Sequence, residues 1–209
     1  FFFHGAGSNG KTTLVNVMQG LMGDYARRVQ EGSYLTGRQS SSEATLEYVG
    51  GRFVYGEEMP QSAKLDEAAV KNLTGGDMLL VKMLYKDRIE VQPTHKLFLF
   101  GNYKPRVSGV DHGIWRRLVI VPFSEKITDK EKNPELPNLL KEEYSGILNW
   151  LLKGVKNYVE DGLQQPQVVA DAVDDYKNDE DVFGEFITEY IDDSDPRART
   201  PKADVFKAY

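Results

Sequence analysis

The stretch from Phe1 to Thr13, FFFHGAGSNGKTT, constrains the fold more tightly than any other part of the chain. An apolar run, a glycine-rich turn and Lys-Thr-Thr lead into Leu14, Val15, Val17, Met18, Leu21 and Met22. That order predicts a strand, a phosphate-wrapping loop and a helix. Gly5, Gly7 and Gly10 let the backbone take positive φ and come close to a polyphosphate, so that loop N–H groups and the helix N-terminus face one anion. The expected nucleotide-binding segment is Gly5, Ala6, Gly7, Ser8, Asn9, Gly10, Lys11, Thr12 and Thr13. Lys11 supplies a charge for the β- and γ-phosphates, and the Thr12 hydroxyl suits magnesium, which prefers hard oxygen ligands. The ligands expected from the loop are a nucleoside triphosphate and Mg2+.

A site of this kind needs carboxylates at the carboxyl end of a parallel strand, where an open α/β sheet places its ligands. Arg52-Phe53-Val54-Tyr55-Gly56-Glu57-Glu58 provides them, an apolar strand running into two acids. Glu57 is assigned to the metal and Glu58 to the base that activates water. Paired acids at a strand end are also common on plain surfaces; the phosphate loop upstream favours the catalytic reading. The strand Lys96 to Gly101 ends in Asn102, an amide for the γ-phosphate and the attacking water, or the start of a turn before Pro105. Arg116 and Arg117 precede the strand Leu118 to Phe123 and are either surface charge or arginine fingers. Met78 to Tyr85 and Ile89 to Val91 predict a hairpin with a charged tip. Its Lys82, Lys86 and Arg88 can grip a phosphate backbone or form a solvated turn.

Between these elements, Tyr34-Leu35 reads as a short strand and Ser40 to Ser42 as the cap of a helix over 43–49. Asp66 to Leu73 reads as a short helix. Residues 124–138 read as a charged connection. The apolar spacing from Leu140 to Val159 predicts a helix that packs on the core, and Val168–Tyr176 and Val182–Ile191 predict two more.

Charge matters only through its distribution. The total is −6 over 209 residues, but residues 171–195 hold eleven acids against one lysine, which leaves the rest of the chain at +4. That removes the objection to nucleic acid without showing that it binds. There is no cysteine, which excludes disulfides and thiolate chemistry. No apolar run approaches the roughly 20 residues of a membrane span, and a cytoplasmic location is expected. The chain opens inside a strand and closes on Val205 to Tyr209 as if a helix were starting, so an excised piece of a longer protein is expected.

Taken in order, these motifs resemble superfamily 3 helicases, in particular the helicase part of phage and plasmid primase-helicases. GAGSNGKT resembles a Walker A motif and GRFVYGEE a Walker B motif. KNLTGGDMLLVKMLYKD resembles the signature that follows, LFLFGNYKP the sensor strand, WRRLVIVPF the arginine-finger strand and ILNWLLKGVKNYVEDGL the helix after the ATPase core. The resemblance implies a three-layer α/β P-loop NTPase of AAA+-like type. Its central sheet would be mainly parallel, with Walker A, sensor and Walker B strands adjacent, and a small helical segment would follow. It implies a core over 1–125, a helical extension over 126–193 and the start of a truncated, winged-helix-like region over 194–209. It further implies ATP hydrolysis coupled to movement on single-stranded DNA, in a ring, commonly a hexamer, with Lys82 and Lys86 towards the DNA in the pore. Asn102 would be the sensor and Arg117, with Arg116 second, the finger entering a neighbour's site. Two rival readings stay open: a P-loop phosphotransferase, and a nucleotide-binding assembly module without catalysis.

Overall fold

The computed structural model describes residues 1–37, 44–82, 87–107 and 112–181, with isolated positions beyond. Seven strands and six α-helices alternate through these residues: β1 (Phe2–His4), α1 (Lys11–Met22), β2 (Ala26–Arg28), β3 (Phe53–Glu58), α2 (Glu67–Thr74), β4 (Leu79–Lys82), β5 (Arg88–Val91), β6 (Lys96–Gly101), α3 (His112–Trp115), β7 (Ile120–Pro122), α4 (Leu136–Glu142), α5 (Tyr144–Asp161) and α6 (Gln167–Glu180). Five strands form one sheet in the order β2-β3-β6-β1-β7, and every pairing in it is parallel. Strand β1, which leads into the glycine-rich loop, thus lies between β6, which ends just before Asn102, and β7, which follows Arg116 and Arg117, and β6 separates it from the acid-bearing strand β3. The protein is an α/β fold with the central strand arrangement that the motifs implied.

Strands buried on both faces explain why this sheet holds. Phe53, Tyr55 and Phe3 pack with Val15 of α1 on one face, joined by Phe98, Phe100, Val121 and Phe123. The alternate residues Phe2, Val54, Leu97, Leu99 and Ile120 face the other side, against Val70 and Leu73 of α2, Ile114 and Trp115 of α3 and Tyr176 of α6. Period-two alternation between two apolar layers is what a parallel sheet covered by helices requires. Gly56 marks the tightest point: a Cβ there would strike the Tyr34 hydroxyl and the Leu99 side chain. α2 starts as its sequence demands, with the Asp66 carboxylate accepting the Ala69 N–H at 2.9 Å, a regular N-cap.

Three local expectations are corrected. Tyr34-Leu35 is not a strand: a 3₁₀ turn over Glu31–Ser33 precedes it, and only Leu35 bridges, to Leu65. Residues 44–48 form a 3₁₀ rather than an α-helix, and its expected cap Ser40–Ser42 lies outside the described residues, as does most of the helix expected over 182–191. The third concerns α5. Its apolar spacing predicts core packing, yet none of its residues is buried, and Trp150 and Val159 are 72% and 77% exposed. The helix touches α4 and, through Tyr144, comes up against Gly20 of α1. Along the rest of its apolar face Ile147 and Leu151 are half-buried, whereas Leu148, Leu152 and Val155 are exposed. No helix among them is long and apolar enough to cross a membrane.

One buried group makes the fold sensitive to acid. His95, 6% exposed, lies 4.9 Å from the Tyr48 ring. Burial holds its pKa below the ordinary 6.5; the Leu73 backbone opposes this, and the nearby Lys96 charge adds a smaller lowering. A histidine whose folded pKa is depressed does not affect stability while both states are neutral. It destabilises the fold as pH drops below the unfolded value, because the unfolded chain takes up the proton first. We expect the thermal midpoint to fall between about pH 7 and about pH 5, and His95→Asn to flatten that slope in a melting series. His4, also depressed by burial and by Lys104, contributes in the same direction and remains in the variant.

Candidate functional site

The loop between β1 and α1 and the carboxyl ends of β3 and β6 enclose a cleft of about 330 Å³. Gly7, Ser8, Asn9, Gly10, Lys11, Thr12, Thr13, Glu58 and Asn102 line it. Residues separated by up to 95 positions therefore meet because their parallel strands end on the same edge of the sheet.

Gly10 takes φ 87° and ends the loop with no side-chain cap on α1. The first N–H groups of that helix are thus left for a ligand, as a phosphate site needs. Gly5 is required for a different reason, since a Cβ on it would collide with the Phe123 carbonyl oxygen. Gly7 departs from expectation: its φ is not positive, and the left-handed position falls on Ser8 at φ 60°.

Lys11 is 4% exposed and reaches back over the loop. Its Nζ donates to Gly5 O at 2.5 Å, Ala6 O at 3.3 Å, Asn9 Oδ1 at 3.0 Å and Asn102 Oδ1 at 3.3 Å. Desolvation lowers its pKa, partly offset by the Glu58 charge. An ammonium held by neutral oxygens can exchange them for phosphate oxygens, a stronger, charge-assisted contact.

Glu58 reaches the cleft through an irregularity that the sequence did not disclose. Tyr55 pairs with Phe98 and Glu58 with Phe100, so β3 has one more residue than β6 over that interval. This is a β-bulge. Without it, period-two alternation would put residue 57 on the Tyr55 face and turn Glu58 away. With it, Glu58 falls opposite Phe100, and both line the cleft. Glu57 has its backbone in β3; its side chain lies outside the described residues.

The donor set fits a triphosphate with magnesium. Thr12 brings a hydroxyl and Glu58 a carboxylate to one cleft, and among the described residues no group of three His, Cys, Asp or Glu could hold a metal. Few protein ligands suit magnesium, which keeps waters and substrate oxygens around it.

The arginines are elsewhere. Arg117 precedes β7 by three residues, while the loop starts three residues after Phe2, the β-partner of Ile120. Strand rise puts the two roughly 20 Å apart, at opposite edges of the sheet. Arg117 is half-buried and its Nη1 donates to Gly113 O at 2.7 Å, whereas Arg116 is exposed. On the hairpin, Lys82 pairs across the strands with Arg88 and both are exposed; Lys86 lies outside the described residues. The cleft brings together the loop, Glu58 and Asn102, but not the arginines or the hairpin.

Two further contacts had no sequence signal. α6 grips the chain just after Asn102: Lys104 Nζ lies 2.9 Å from Asp179 Oδ2 and over the Tyr176 ring, Tyr176 donates its hydroxyl proton to Pro105 O, and Val107 N–H donates to Glu180 Oε2 at 3.0 Å. In addition, the segment after β7 crosses the phosphate loop.

A protein family described only as of unknown function, DUF5906, matches residues 3–117. Relatives bearing provisional helicase or primase names come from large DNA viruses. A helicase-named protein of Acanthamoeba polyphaga mimivirus is 31% identical, over 90% of this chain and 22% of its own length. One of Frog virus 3 is 29% identical, over 58% and 13%, and a primase-named protein of African swine fever virus 28%, over 54% and 12%. The chain spans less than a quarter of the length of these curated relatives. Among solved structures, the C-terminal region of NrS-1 superposes with a TM-score of 0.55 at 13% identity, over 69% of this chain and 33% of that one. That likeness concerns the fold.

Proposed function

This chain belongs to the DUF5906 family, and from that footing we propose that it is the ATPase motor of a DNA-replication helicase of the primase-helicase kind. The observation that carries the reading is the cleft in which Lys11, Glu58 and Asn102 meet an uncapped helix N-terminus. Helicase and primase names on the viral relatives support the replication role.

In this reading ATP lies with its phosphates in the loop from Gly5 to Thr13. Lys11 leaves its four oxygen partners and binds the β- and γ-phosphates. Magnesium, when bound through Thr12, Glu57 and waters, would supply charge neutralisation on the phosphate oxygens. Glu58 accepts the proton of a water whose oxygen attacks the γ-phosphorus, while the bond to the bridging oxygen of ADP breaks. Asn102, joined to Lys11, orients that water. The exposed Lys82 and Arg88, with Lys86 between them in sequence, contact single-stranded DNA. Residues 1–125 form the motor core and 126–193 its helical extension.

Among the described residues no arginine lines this cleft, and an arginine supplied by a neighbour in a ring would complete it. Since Arg117 is bound within its own fold, the exposed Arg116 is the better finger, a reversal of the sequence ranking. An arginine finger is worth about 10³ to 10⁵ in turnover. We therefore expect Arg116→Ala to lose ATP hydrolysis while Arg117→Ala mainly lowers the melting point. Mixing Arg116→Ala with Lys11→Ala in an assembled form should restore part of the activity, because a subunit keeping Lys11 then sits beside one keeping Arg116. A mixture as inactive as its two components would sink the shared-site reading.

A further inference from the structure

The chain does not leave the site when β7 ends. Phe123 N–H donates to His4 O at 2.6 Å, and the Phe123 carbonyl accepts Asn9 Nδ2 at 3.1 Å and lies where a Cβ on Gly5 would be. Four residues later Ile127 N–H donates to Ser8 O at 2.7 Å. One five-residue segment thus touches the loop at His4, Gly5, Ser8 and Asn9.

Its contact with Ser8 falls on a strained position. Among the described residues Ser8 is the only non-glycine with positive φ, 60°. An L-residue there meets steric opposition that glycine does not. Such a conformation persists only where the surroundings enforce it. Ser8 is exposed, so little packing can do that; the Ile127 hydrogen bond to its carbonyl can. Were Ser8 to relax to negative φ, the peptides on either side would rotate and the loop N–H groups would no longer converge on one anion.

We propose that residues 123–127 are a strap over the phosphate loop, and that the Ile127 N–H is a positioning group that holds Ser8 left-handed and thereby sets nucleotide affinity. The inference rests on reading the loop as an ATP site. It also makes β7, which follows the two arginines in sequence, the anchor of the loop of its own copy.

The test is a cycle on the 209-residue chain with mant-ATP and magnesium as the probe, each variant checked by thermal unfolding. Ile127→Pro removes the N–H and should weaken binding on the order of fivefold, the worth of one main-chain hydrogen bond. Ile127→Ala keeps the N–H and should bind within about twofold of the parent. Ser8→Gly, which takes positive φ freely, should recover most of the affinity lost in Ile127→Pro. Parent-like binding by Ile127→Pro, or a loss that Ser8→Gly leaves untouched, overturns the proposal. Amide exchange on the parent gives a second reading that needs no variant. The Ile127 amide should exchange at least about tenfold more slowly than that of Lys126 and slow further with mant-ATP; equal rates overturn the strap. If the parent binds no mant-ATP, the ATP-site reading falls and the strap is judged on that exchange alone.

Discussion

Lys11→Ala is expected to abolish ATP turnover, by a factor of about 10³ or more, and to weaken mant-ATP binding on the order of a hundredfold. The size follows from where the ammonium sits. Lys11 is buried to 4% exposure and is in reach of both the loop carbonyls and the Asn102 amide. With ATP present it would be the buried cation facing the phosphates, so no neighbour replaces it. Lys11→Arg should not rescue, because a planar guanidinium needs more room and a different set of acceptors. The melting point should stay within about 3 °C of the parent, since the ammonium is held against its own desolvation and contributes little to the fold without a phosphate. Nucleotide titration and a melting curve on the same preparation check this. A collapse of stability together with binding would instead make Lys11 a structural residue.

Glu58→Gln is expected to separate binding from chemistry. The amide has the carboxylate's shape but cannot accept the proton of the attacking water, so turnover should fall by about 10² to 10⁴ while mant-ATP affinity stays within a few-fold of the parent. The bulge makes the prediction specific to this residue. By aligning Glu58 with Phe100 on the loop side of the sheet, it gives that face to the second acid of the pair. A substitution that lowered affinity and rate together would move Glu58 from the base to the binding of substrate or metal.

How much of this was legible follows from what sequence patterns encode. β1, β3 and β6 were readable because they are apolar on both faces, and Asn102 because it closes such a strand. The glycine-rich loop between β1 and α1 was readable as a spacing. The bulge was not, because register belongs to a pair of strands and Glu57-Glu58 looks the same with or without it. Gly7 was expected to take the left-handed turn because glycine does so most easily; the turn fell on Ser8, where a hydrogen bond from a residue 119 positions away supports it. That residue lies in a charged stretch with no periodicity, hence the reading of 124–138 as mere connection. The ranking of Arg116 and Arg117 depended on whether one of them would find Gly113, a tertiary contact. Periodicity in α5 located an apolar face but could not say what covers it, and the exposed Trp150 shows the limit of that inference.

The function proposed for this chain is an ATP motor on DNA. The measurement that bears on it most directly is the steady-state ATP turnover of the parent, with and without single-stranded DNA, beside Lys11→Ala under the same conditions. For such a motor the parent rate rises several-fold with DNA and falls to background in the variant. A rate that DNA leaves unchanged, or one that survives in Lys11→Ala, would contradict it.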